Sequence, residues 1–198
     1  MKTFRRSLPF LAVLTAVLPS WGAASTQAPE DFLKAGIDRV LAVAYAQSGD
    51  PLVTRLKPVL SDIFTFDGIT RRAVGPAWRG FTPVQQAQIT ELFTELVMRT
   101  YAERFDPGSP VEISYGQPVD LGRNQVEIPT VVTYSGSNFA VIYRLQPEGG
   151  SWRVFDIIAE GVSLVGNYRA QFDSIVNRGG APALIRSLQD NLAATPLR

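Results

Sequence analysis

The hydrophobic period of this 198-residue chain changes twice. Up to about residue 107, apolar residues recur every three to four positions. From Val111 to Ile158 they alternate with polar ones, and from Leu164 the helical spacing returns. Helices, then strands, then helices make the order of an α+β fold.

The first helical run opens at Pro29-Glu30-Asp31, a proline and two acids where a first turn favours them. Phe32, Leu33, Ile37, Val40, Leu41 and Ala44 follow at helical spacing. Ser48-Gly49-Asp50 stops this helix, and Asp50-Pro51 can start the next, with Leu52, Val53, Leu56, Val59, Leu60 and Ile63 as its apolar face. Pro58 inside that face is expected to kink or split the helix. Asp67 is the expected cap of a short third helix ending at Val74, before Gly75-Pro76. The clearest helix start is Thr82-Pro83-Val84-Gln85: Thr as N-cap, Pro at N1 and Gln at N3 form a capping box. A long helix follows, with Ile89, Leu92, Phe93, Leu96, Val97, Thr100 and Tyr101 on its apolar face. Asp106-Pro107-Gly108 closes it.

The alternating region predicts four strands joined by short turns at 120–124, 135–138 and 147–150, an antiparallel meander. Both faces of its later strands are apolar. Phe155, Ile157 and Ala159 oppose Trp152, Val154 and Ile158; Ala140 and Ile142 oppose Phe139, Val141 and Tyr143. A one-sided antiparallel sheet alternates cleanly. Either helices cover both faces, or one face lines an apolar cavity; core and cavity demand the same side chains. Beyond the sheet, Tyr168, Phe172, Ile175 and Val176 form one helical face ending at Arg178-Gly179-Gly180. Ala183, Leu184 and Leu188 predict a final helix.

Residues 1–24 have the three parts of a secretory signal. Lys2, Arg5 and Arg6 precede an apolar run from Leu8 to Leu18, and Gly22-Ala23-Ala24 supplies small residues at the expected cut. The run is too short to span a bilayer, which takes about twenty residues. Residues 25–198 are then expected to form one domain outside the cytoplasm. The whole chain carries 19 Lys and Arg against 18 Asp and Glu. Removing the signal takes three bases and no acids, leaving a net charge of −2. That balance offers no basic stripe for a nucleic acid.

The chain contains no Cys and no His. Disulfides, the Ser-His and Cys-His nucleophile pairs and most zinc sites are thereby excluded, and no cofactor or metal is expected. Carboxylates remain as possible catalytic groups. Asp156 and Glu160, four apart at the end of the last strand, could share a face and do acid–base chemistry, but a surface pair or turn cap is the plainer reading. Glu91, Glu95 and Glu103 read as a solvated helix face, the Gly-Gly pairs as turns, and Arg71-Arg72 as surface charge open to an anionic partner.

One segment is more specific. Phe155-Asp156-Ile157-Ile158-Ala159-Glu160-Gly161-Val162-Ser163-Leu164-Val165, followed by Asn167-Tyr168-Arg169 and Phe172, resembles the signature of the MlaC or toluene-tolerance family of periplasmic phospholipid carriers. Val74-Gly75-Pro76-Ala77-Trp78-Arg79 and Thr82-Pro83-Val84-Gln85 are similar to that family's Gly-x-x-Trp and Thr-Pro-x-Gln elements. Tyr101 at the end of the long helix, and Gly180 with Leu184 and Leu188, agree with it; Pro182 is a local departure. The resemblance covers residues 30 to 190. It implies a lipid-tail pocket between the sheet and its helices, and a monomer in the periplasm. It also implies passage of phospholipid, or a hopanoid-type lipid, between an inner-membrane ABC transporter and an outer-membrane lipid complex.

A carrier of this kind needs a dry cavity and no catalytic group. Each buried CH₂ gains about 0.8 kcal/mol, so a two-chain lipid gains on the order of 25 kcal/mol over water, and a membrane offers nearly the same. The expected lining is Val97, Tyr101, Val132, Tyr134, Val141, Tyr143, Phe155, Ile157, Val162 and Phe172. Because Phe155 and Ile157 oppose Val154 on one strand, not all of them can face one cavity. Two other functions stay open at this point: an assembly or chaperone module without a ligand, and a pocket enzyme using Asp156 or Glu160.

Overall fold

The structure, a computed structural model, describes residues 27–102, 106 and 108–195. The expected export signal and part of the Asp106-Pro107-Gly108 helix stop lie outside the described residues.

Helices α1 (Pro29–Tyr45) and α2 (Leu52–Ile63) pack against each other. Gly36 permits the close approach, since a Cβ there would stand 3.1 Å from the Ile63 side chain. Arg55 of α2 donates from Nη1 to the carbonyls of Val43 (2.6 Å) and Ala46 (2.9 Å), satisfying oxygens that α1 leaves unpaired at its C-terminus. Pro58 neither splits nor ends α2. Both Pro58 and Thr54, whose carbonyl lacks its amide partner, are exposed, so water can serve that carbonyl.

Helix α3 (Phe66–Val74) is capped by Thr65, whose hydroxyl accepts from the Gly68 N–H at 3.3 Å. Asp67, the expected cap, instead lies in the first turn, where an acid complements the helix dipole. A 3-10 turn over Gly75–Gly80 leads to α4 (Pro83–Ala102). Its capping box forms as expected: Thr82 N–H donates to Gln85 Oε1 at 2.9 Å, and Gln85 N–H donates to Thr82 Oγ1 at 3.3 Å. Helix α5 (Leu164–Ala194) breaks at Gly179 and Gly180, where Gly180 takes φ of 61°. The two helices expected there are two segments of one kinked rod, and Pro182 sits just past the break.

Among the described residues the sheet has six strands, two more than alternation predicted: β1 (Val111–Tyr115), β2 (Val119–Gly122), β3 (Gln125–Tyr134), β4 (Ser137–Glu148), β5 (Ser151–Ala159) and β6 (Val162–Ser163). All pairings are antiparallel, in the order β1-β3-β4-β5-β6, with β2 also paired to β3. β2 occupies part of the segment read as a turn, and β6 is only two residues long. The free edge of β5 is met by the α2–α3 link, where Thr65 N–H donates to the Val154 carbonyl at 3.0 Å.

A bulge in β5 changes the expected facing. Arg144 pairs with Asp156 and Leu145 with Val154, so Phe155 has no partner on β4. The extra residue returns Ile157 to the side of Val154, and both join the same apolar cluster.

Among the described residues two clusters form the interior. One lies among α3, α4 and α5, where the Phe93 ring meets Tyr168 (4.6 Å) and Phe172 (5.1 Å) edge-on. The other joins Phe32, Leu33, Ile37 and Ile63 to Ile128, Leu145 and Val154 of the sheet.

Candidate functional site

Beside the second cluster lies a cavity of about 310 Å³, at the small end of the range for ligand pockets. Leu33, Ile37, Val40, Leu41 and Ala44 of α1 line it, with Leu52, Leu56, Leu60 and Ile63 of α2. Phe64 and the last turns of α4 (Met98, Tyr101, Ala102) close another side. The sheet contributes Val111, Ile113, Val132, Tyr143 and Ile157. No charged side chain is among them. Burial matches this division: Leu33, Ile37, Ile63 and Met98 are buried, while Tyr101 is 50% exposed and stands at the rim. Such a lining attracts hydrocarbon and gives water nothing to bind except two phenols.

The structure brings four of the ten expected lining residues to this cavity: Tyr101, Val132, Tyr143 and Ile157. It places the other six elsewhere. Val97 and Phe172 pack in the helical cluster, on the sides of α4 and α5 that face each other. Tyr134 ends β3, and its hydroxyl accepts from the Asp106 N–H at 2.6 Å. Val141 shares the face of Tyr143 but stands half-buried between exposed neighbours, Phe139 and Ala159. Phe155 is the bulged residue and lies under the Arg72 guanidinium, 4.5 Å from the ring centre. Val162, in the short edge strand β6, is 59% exposed. The α1 and α2 residues that supply much of the wall were visible in the sequence only as apolar helix faces, a signal that buried core produces equally.

Tyr143 is enclosed by protein, and burial pushes its hydroxyl up to about 12, with Tyr115 a lesser contributor. Tyr115, on β1, is also raised to about 12, by burial first and then by Asp38 and Glu30. The Lys34 ammonium lies 5.5 Å from the centre of the Tyr115 ring.

The carboxylates considered for catalysis lie outside this cavity. Asp156 is 5% exposed. Its Oδ2 accepts from Ser163 Oγ at 2.7 Å, its Oδ1 accepts from the Val165 N–H at 3.1 Å, and Arg144 Nη1 lies 3.6 Å away. Glu160 Oε1 accepts from the Ala140 N–H at 2.6 Å and ties the β5–β6 turn to β4. Asp156 thus serves the joint between sheet and α5, and Glu160 makes a turn contact within the sheet. Arg72, half-buried, donates to Gln146 Oε1 at 2.7 Å, while Arg71 is exposed. Among the described residues no group of acids, His or Cys could hold a metal ion, and no helix is long and apolar enough to cross a membrane.

This geometry defines an α+β domain that encloses an apolar cavity between a helical layer and an antiparallel sheet. The MlaC protein family model matches residues 34–190, and the chain belongs to that family. It is 23% identical over 196 residues to the intermembrane phospholipid transport system binding protein MlaC of Haemophilus influenzae, covering 93% of this chain and 91% of that protein. It is 24% identical over 184 residues to the toluene tolerance protein ttg2D of Pseudomonas putida, covering 86% and 82%. The solved structure of a phospholipid-binding protein from Ralstonia solanacearum, in complex with a phospholipid, superimposes with a TM-score of 0.77. It is 26% identical, and the match covers 85% of this chain and 99% of that one.

Proposed function

We propose that this chain is a periplasmic lipid carrier. Residues 1–24 direct export, and the cavity between α1, α2, α4 and the sheet holds the acyl tails of a phospholipid. The carrier takes lipid from one membrane-bound complex and gives it to another, an inner-membrane ABC transporter and an outer-membrane lipid complex being the two ends. The observation that carries this reading is the cavity wall of apolar side chains and two phenols, with no charge. The likeness to a phospholipid-binding protein solved with its lipid supports the ligand class. The physics supports the role: tails gain about as much in a dry cavity as in a bilayer, so transfer is near balance and a docking partner can set its direction.

The test is uptake from vesicles. Delipidated mature protein is incubated with phosphatidylethanolamine–phosphatidylglycerol vesicles, separated from them, and assayed for bound phosphorus. The reading requires recovery of phospholipid near one molecule per chain. Protein that returns lipid-free, while remaining folded, contradicts it.

A further inference from the structure

The cavity wall is aliphatic and aromatic side chains and the Met98 thioether, with two phenols, Tyr101 at the exposed rim and Tyr143 within. Tyr143 differs from the buried polar groups Thr130 and Asp156. Thr130 Oγ1 donates to the Val141 carbonyl at 2.8 Å, and both oxygens of Asp156 accept hydrogen bonds. The Tyr143 hydroxyl has no hydrogen-bond partner among the described residues. It is not sealed off either: the oxygen keeps accessible surface, and Tyr143 is among the residues that line the cavity. The fold therefore holds a hydrogen-bond donor, largely enclosed by protein, in the wall of an apolar cavity.

A donor so placed discriminates between occupants. An occupant made only of hydrocarbon leaves the hydroxyl unpaired, and an unpaired buried donor is costly. An occupant with an acceptor oxygen next to its apolar part removes that cost. The carboxylic ester is the group that meets this need in an acyl lipid, because its carbonyl is bonded directly to the tail. A phosphate or an ammonium is more strongly hydrated and is ill matched to a wall without a compensating charge.

We infer that the Tyr143 hydroxyl is a binding group for the ligand, donating a hydrogen bond to an ester carbonyl of a diacyl lipid, so that the cavity reads the tail linkage as well as the tails. This rests on the proposed tail-binding role and specifies the lipid class: ester-linked over ether-linked. Burial that keeps the phenol protonated well above neutral pH agrees with a donor role. Phe at this position would keep the ring and remove only the donor.

The experiment is a competition between two phosphatidylethanolamines of equal chain length, one diacyl and one dialkyl, offered together in vesicles to delipidated mature protein. Wild-type protein is expected to retain the diacyl lipid in roughly three- to tenfold excess. In Tyr143→Phe the ratio is expected to fall towards one. A second readout uses diacyl lipid with carbon-13 ester carbonyls. The infrared carbonyl band of bound lipid should lie lower in wild type than in Tyr143→Phe. Retention of both lipids without preference, or a preference and a band unaltered by the substitution, overturns the inference alone. Retention of neither lipid by folded wild-type protein overturns the tail-binding reading and this inference with it.

Discussion

Ser163 Oγ donates a 2.7 Å hydrogen bond to Oδ2 of Asp156, the buried carboxylate seven residues earlier in the chain. The same hydroxyl accepts from the Gly166 N–H at 2.9 Å, and Asp156 Oδ1 accepts from the Val165 N–H. Strand β5 is thus locked to the first turn of α5. The segment that most strongly marks the family in this sequence builds that joint, while the cavity is built largely by other residues.

Asp156→Ala leaves Ser163 and the Val165 amide without their buried acceptor. It is expected to lower stability by roughly 2–4 kcal/mol. Ser163→Ala removes the N-cap and is expected to cost about 1 kcal/mol. Denaturant titration measures both. Lipid bound per folded Ser163→Ala molecule should equal that of wild type. Loss of lipid without loss of stability would move this joint into the binding site.

Val132 lines the cavity and Val141, one strand away, does not. Val132→Trp is expected to fill the chamber and reduce retained phospholipid severalfold. Val141→Trp, half-buried at the margin of the same sheet face, is expected to leave it unchanged. Phosphorus assay of the two purified variants compares them directly, and equal loss in both would misplace the cavity.

The raised Tyr143 phenol makes stability depend on alkaline pH in a defined sense. Its value in the fold is about 12 against an ordinary 10. The unfolded chain therefore releases this proton first as pH rises. The stability tied to the neutral phenol is fully present below pH 10 and is lost as pH climbs towards 12, by about 3 kcal/mol at most. Tyr143→Phe lacks this contribution and keeps that of Tyr115, also raised to about 12. Denaturation midpoints of the two proteins, measured from pH 9 to 12, should converge or cross in favour of the variant. Parallel curves would show that Tyr143 is not held out of water.

Thr82 and Gln85 exchange hydrogen bonds across the first turn of α4. Thr82→Ala is expected to cost about 1 kcal/mol, and Gln85→Ala less, since it frees only the exposed Thr82 amide. Urea midpoints resolve the difference.

The capping box could be read from four consecutive residues because its chemistry is local. The strands could be read because alternation persists over many residues. Features that depend on a distant partner could not be read. Phe155 and Ile157 are equivalent in a period-2 pattern, and only the pairing of Arg144 with Asp156 and Leu145 with Val154 inserts the bulge that separates them. Thr65 and Asp67 are both capping residue types, and the choice follows from Thr65 being held against β5 by its backbone. Leu41, Ala44, Leu52 and Leu56 form apolar helix faces that look like core in sequence. They become cavity wall because α1 and α2 stop short of filling the space above Val132 and Tyr143. Val97 and Phe172 show the converse, apolar faces taken up entirely by helix packing.

The most direct test of the tail-binding cavity is organic-solvent extraction of the mature protein, purified without added lipid, followed by mass spectrometry of the extract. The expected result is diacyl phospholipid near one molecule per chain, sharply reduced in Val132→Trp. A folded wild-type protein whose extract contains no lipid would contradict it.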